Sequence, residues 1–159
     1  SGVSQNIIDK STQYLTNPGI SVVTDAKIAL ESVRVHSMHD PTEGGLATAL
    51  AEVATASTTG VIINKDAVPV FQETAELCAT LRVDPWGLIS SGPLLITARP
   101  ERASDVIDAV NKTGTPAVDI GEIRLPEDGL MLRTQGVDKA LPMFDRDELA
   151  RVLAHVSRP

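Results

Sequence analysis

Residues 33–54 read Val33-Arg-Val-His-Ser-Met-His39-Asp40-Pro41-Thr42-Glu43-Gly44-Gly45-Leu46-Ala-Thr-Ala-Leu50-Ala-Glu-Val-Ala54. Val33 and Val35 alternate with Arg34 and His36, which predicts a strand running to Met38. Leu46, Ala49, Leu50, Val53 and Ala54 recur at i, i+3, i+4, i+7 and i+8, which predicts an amphipathic helix. The connection between them has helix-start chemistry: Asp40 as N-cap, Pro41 at the first helical position and Glu43 reaching back as the capping-box partner. The adjacent Gly44 and Gly45 do not belong to that pattern. Two glycines inside a helix cost about 2 kcal/mol relative to alanine. Either a ligand approaches the backbone here, or a neighbouring backbone does. For a ligand, the unpaired amides and positive dipole end of the helix would face an anion. Asp40 and Glu43 would repel a phosphate unless they face away or share a magnesium ion.

Outward from this stretch, helices and strands alternate. Ser4 caps a helix carrying Ile7, Ile8, Ser11 and Leu15, stopped by Asn17-Pro18-Gly19. Val22, Val23, Ala26, Ala29 and Leu30 mark a second helix. Val61–Ile63 reads as a buried strand. Phe71, Ala75, Cys78 and Leu81 mark a helix ending near Asp84-Pro85. Leu94–Ala98 is a strand, and Ala103, Val106, Ile107 and Val110 form a helix that stops at Gly114. Ala117–Ile123 and Leu130–Arg133 are expected to pair as a hairpin about Pro126-Glu-Asp-Gly129. Asp145-Arg-Asp-Glu148 reads as a capping box for a terminal helix through Leu149, Val152, Leu153 and Val156. The order predicts an α+β domain over residues 1–159, a mixed β-sheet flanked by helices in α/β/α layers. Residues 1–16 are expected to form a connecting helix from an upstream part.

The 159 residues carry a net charge of −7, with 42% hydrophobic, 22% charged and 3% aromatic residues. No Lys/Arg cluster offers a phosphate-neutralising face, and stacking platforms are scarce, so nucleic acid is not an expected partner. No apolar run approaches a membrane span, and Ser1–Lys10 lacks a signal pattern; the cytoplasm is the expected location. His36, His39 and His155 lack zinc-ligand spacing, and no metal is expected to be bound by these residues alone. The single Cys78 lies in a helical apolar pattern and reads as a small buried hydrophobe. His39 could act as an acid or base, or be a hydrogen-bonded structural histidine. Thr42 could donate to a phosphate or cap the helix. Ser90, Ser91 and Gly92 could form a second polar wall or a solvent-facing turn. Trp86 reads as core or interface.

The run His36-Ser-Met-His-Asp-Pro-Thr-Glu-Gly-Gly-Leu46 resembles the motif that opens the C-terminal domain of AIR synthase-related proteins, a family that includes aminoimidazole ribonucleotide synthase and the hydrogenase maturation protein HypE. Ala67-Val-Pro-Val70, Asp84-Pro85 and Val118-Asp-Ile-Gly-Glu-Ile123 follow in the family's order, so the resemblance spans about residues 20–135. It implies that family's fold, partly like a ferredoxin fold. It implies a partner half, an N-terminal domain absent here that carries most ATP and magnesium ligands and forms the homodimer. It also implies ATP-dependent activation of an amide-type or phosphate-accepting oxygen, with the isolated chain inactive. The implied binding residues are Asp40, Thr42, Gly44 and Gly45, with His39, Ser90, Ser91 and Gly92 as candidate neighbours. Two departures stand out. Ser91 occupies the place before a glycine where HypE-like members tend to carry an acid, and the chain ends His155-Val-Ser-Arg-Pro159 without a reactive cysteine. Both argue against HypE's thiocyanate-forming role and keep open a non-catalytic small-molecule-binding or assembly module.

Overall fold

A computed structural model of the chain describes residues 2–156. The helices are α1 Gln5–Gln13, α2 Val23–Ser32, α3 Gly45–Ser57, α4 Gln72–Leu81, α5 Ala103–Asn111 and α6 Glu148–Val156. The strands are β1 Val35–His39, β2 Gly60–Asn64, β3 Leu95–Ala98, β4 Gly121–Arg124, β5 Leu130–Thr134 and β6 Val137–Ala140. The α+β architecture follows the alternation in the sequence, but the strands form two sheets. β1 and β3 make a two-stranded antiparallel ribbon, and the other four pair in the order β4-β2-β5-β6. β2 runs parallel to β5 and antiparallel to β4, so the larger sheet is mixed.

Each sheet has its own core. Ala47, Leu50 and Ala54 of α3 pack on Val61 and Ile63 of β2 and Leu132 of β5, with Trp86 and Leu141 closing the cluster. Alanines on that helix face let α3 lie close to the sheet; Ala47 and Ala54 are essentially inaccessible. The second core joins Ala29 of α2, Val33 just after it, and Val106 and Val110 of α5 to Val35, Met38, Ile96 and Ala98 of the ribbon. Trp86 is therefore core. At the other end, α1 begins at Ser4, whose hydroxyl accepts from the Ile7 amide. α1 and the turn after it dock on α4: Ile7 is buried, Tyr14 stacks on Phe71 with centroids 4.5 Å apart, and the Tyr14 hydroxyl donates to Glu73 at 2.8 Å.

Two expectations are corrected. The segments 121–124 and 130–134 do not form a hairpin; β2 lies between them and pairs with both. The hairpin is β5–β6, turned at Gln135-Gly136, both with positive φ. β6 itself carried no expectation, because Val137-Asp-Lys-Ala is a short exposed edge strand with two charges. The terminal helix is capped by Asp147, whose carboxylate accepts from the Leu149 amide at 2.8 Å, rather than by a box between Asp145 and Glu148.

Candidate functional site

β1 delivers the chain into a turn, and that turn is longer than helix-start chemistry implies. α3 begins at Gly45, and its N-cap is Gly44 in the left-handed conformation, φ +80°, with no side-chain cap. Asp40 is therefore not the N-cap, and Pro41, fully buried, sits in the turn rather than in the helix. Gly45 also has positive φ, +67°. A helix cannot run through two consecutive left-handed residues, which is why Asp40-Pro41-Thr42-Glu43 stays outside it.

Both glycine amides are spent on acceptors within the chain. The Gly44 N–H donates to Oδ2 of Asp147 at 2.8 Å, a buried bond across 103 residues. The Gly45 N–H donates to the Thr42 carbonyl at 3.1 Å. Since Asp147 Oδ1 holds the Leu149 amide, one carboxylate satisfies the starts of α3 and α6 together. The glycines themselves answer to packing. A Cβ on Gly45 would stand 2.6 Å from the carbonyl oxygens of Trp86 and Leu88. One on Gly44 would collide with the Thr48 side chain. At Gly45 the close approach is that of a neighbouring backbone, at Gly44 that of the Thr48 side chain, and the acceptor on the Gly44 amide is the chain's own Asp147.

The second candidate segment meets the first. Asp84 accepts from the Trp86 amide at 3.0 Å and opens the short turn Pro85–Gly87. Beyond it, the Ser90 N–H donates to the Thr42 carbonyl at 3.1 Å. That one carbonyl thus ties Gly45 and Ser90 to the same point. Thr42, Glu43, Asp40 and Ser91 are exposed, and Ser90 is half-buried. Gly92, φ +96°, lies against the backbone of Gly19 and Ile20, where a Cβ would be 3.3 Å away. His39 contacts Glu52 of α3, Nε2 to Oε2 at 2.9 Å. The side chain of His155 and residues 157–159 lie outside the described part. Among the described residues, no group of three or more His, Cys, Asp or Glu is placed to hold a metal. None of their helices is long and apolar enough to cross a membrane.

Sequence reasoning missed the residues that brace this region from α6. Arg151 grips the Glu148 carboxylate through Nε and Nη2 at 2.7 and 2.8 Å, and the Asp84 amide donates to it at 2.9 Å. The Arg151 hydrogen bonds, aided by the Asp84 amide and opposed by burial, hold the Glu148 carboxyl at about 2, against an ordinary 4.5. A depressed carboxyl stabilises the fold above its unfolded value and loses that contribution as pH falls through its folded one. The stability gap between wild type and Glu148→Gln is therefore expected to be full above pH 4.5 and to close towards pH 2. Urea unfolding across that range measures it, and a gap independent of pH would contradict the assignment. Cys78 is buried, and burial, then the Asp84 and Glu148 charges, push its thiol up, the opposite of an activated nucleophile.

The profile of the family described as AIR synthase related protein, C-terminal domain, matches residues 10–129. The chain belongs to this family. This AIR synthase-related domain is 34% identical over 98 residues to carbamoyl dehydratase HypE of Rhizobium leguminosarum bv. viciae, covering 60% of the chain and 28% of that protein. It is 38% identical over 90 residues to carbamoyl dehydratase HypE of Bradyrhizobium diazoefficiens, covering 55% and 26%. A crystal structure of hydrogenase maturation protein HypE superposes with a TM-score of 0.74 at 30% identity, over 84% of this chain and 45% of that one. HypE in complex with ATP gives 0.68 at 30%, over 76% and 39%. The AIR synthase-related domain thus spans less than a third of these two curated relatives and less than half of these two crystallised chains. Asp147, Glu148 and Arg151 lie beyond the residues the family profile matches.

Proposed function

We propose that this domain is the substrate-side half of an ATP-dependent enzyme that activates an amide-type oxygen of a small substrate, the chemistry named in its carbamoyl dehydratase relatives. The observation that carries the reading is the Thr42 carbonyl, which accepts from both Gly45 and Ser90 and so fixes two polar turns against each other. Their hydroxyls, on Thr42, Ser90 and Ser91, form one wall of a cleft whose other wall is the ATP-binding half. An amide oxygen is a poor leaving group; ATP, when bound, supplies the phosphoryl group that makes it a good one. The domain's own part is to donate hydrogen bonds from fixed positions to the oxygens that gain charge, with no reorganisation during reaction. Asp40 and Glu43 lie on the same turn. Two carboxylates suit magnesium only together with substrate phosphates, so the ion would be shared with the nucleotide. The substrate is carried over only as the amide class, since Ser91 stands where an acid is expected.

The spent amides of Gly44 and Gly45 favour a second reading, a non-catalytic binding or assembly module. Amide-dependent ATP hydrolysis separates the two. The domain alone is expected to hydrolyse no ATP. In the whole protein, Thr42→Ala is expected to lower kcat/KM by about tenfold to a hundredfold, the range for removing one preorganised donor. Full activity in Thr42→Ala would remove this turn from the site. Hydrolysis by the domain alone would refute the division of labour. A whole protein inert towards amides and phosphate acceptors would favour the module.

A further inference from the structure

We propose that the far end of the β1–β3 ribbon is a binding site for a single phosphate-like oxyanion, separate from the Thr42–Ser90 face. Arg34, Val35, His36 and Arg99 line a cavity of about 210 Å³ there. That is below the ~300–1,000 Å³ of pockets that enclose whole drug-sized ligands, so it suits one anionic head group. Arg34 precedes His39 by five residues of extended chain, about 16 Å at ~3.3 Å per residue.

The ribbon's register brings the cations together. Val35 pairs with Ala98, so Arg34 and Arg99 follow as the next antiparallel neighbours. The ladder slips between Val35 and Ser37, leaving His36 without a cross-strand partner. Such a bulge re-aims a side chain and recurs beside functional sites. Like charges on neighbouring positions of paired strands are destabilising. Several other arginines of this acidic chain are neutralised, Arg102 by Asp105, Arg124 by Glu122 and Asp128, and Arg133 by Asp138, while Arg82 and Arg146 have no ion-pair partner among the described residues. Among the described residues no carboxylate lies within ion-pair distance of Arg34 or Arg99, and Glu31 and Glu101, nearest in sequence, pair with neither. Two guanidinium forks and an imidazole around a small cavity match the donor geometry of a phosphate.

The test is titration of the 159-residue chain with inorganic phosphate at constant ionic strength, read on the Arg34 and Arg99 Nε–H and His36 ring resonances. Glycerol 3-phosphate serves as a second arm. Saturable shifts at these three residues are expected, weakened by about tenfold in Arg34→Gln and more in Arg34→Gln/Arg99→Gln. Phosphate is expected to raise the melting temperature of wild type and not of the double variant. Without phosphate, Arg34→Gln is expected to melt no lower than wild type. Tighter binding of the ester places the group on a small molecule, and equal binding assigns a free oxyanion; both uphold the site. Shifts no larger than chloride produces, equal shifts in the double variant, or a marked loss of stability in Arg34→Gln would overturn it.

Discussion

Gly45→Ala is expected to cost the domain about 2–5 kcal/mol and to lower its melting temperature by about 10 °C. Two effects add. Alanine in the left-handed conformation costs about 1–2 kcal/mol, and the Gly45 φ is +67°. The new methyl would also stand 2.6 Å from two backbone carbonyl oxygens, those of Trp86 and Leu88. Neither oxygen belongs to a side chain that could swing away, so α3 or the 86–88 segment must move, and both are anchored in the core by Ala47, Leu50 and Trp86. Gly44→Ala is expected to cost less, because its methyl meets the rotatable Thr48 side chain. Thermal unfolding of the two variants side by side measures the difference. A Gly45→Ala protein as stable as wild type would mean that the glycine serves something other than packing.

Asp147→Ala carries the second large expected effect, about 2–4 kcal/mol. It removes the acceptor of a buried amide, worth about 1–3 kcal/mol when left unsatisfied, and the cap of α6, worth about 0.5–2 kcal/mol. Asp147→Asn makes the sharper test. Asparagine is ordinarily as good an N-cap as aspartate. Here Oδ2 holds the Gly44 amide and Oδ1 the Leu149 amide. An asparagine has one acceptor oxygen, so its NH₂ would be turned against one of the two N–H groups. Asp147→Asn is thus expected to lose nearly as much as Asp147→Ala. Urea unfolding of both variants reads this directly, and full stability in the asparagine variant would show that one bond is enough.

Both effects come from contacts that local sequence patterns do not encode. The strand at Val35, the helix through Leu50 and Ala54, and the α+β order were legible because periodicity reports which face of an element is buried. The start of α3 was misplaced because Asp40-Pro41-Thr42-Glu43 satisfies every local rule for a helix start. Its true start is set by Gly44 and Gly45, and the partner of the Gly44 amide lies 103 residues away. The turn at Pro126–Gly129 likewise looked like a hairpin, since turn chemistry cannot say that β2 will insert between the strands it joins. At the site, Thr42 and Ser90 were both legible as candidates from their residue types and neighbouring glycines. Their meeting through one carbonyl was not, because a backbone hydrogen bond carries no signature in side chains. Asp147 carried only a local signal, an acid before a terminal helix.

Hydrogen exchange at the Gly44 amide under native conditions tests the closed turn most directly. With Asp147 seated on it, that amide is expected to exchange only on global unfolding, as slowly as the amides of β2, and to become fast in Asp147→Ala. Exchange in the wild type at the rate of a solvent-exposed amide would mean that the start of α3 stands open to an incoming anion, and that the chain's own carboxylate does not fill it.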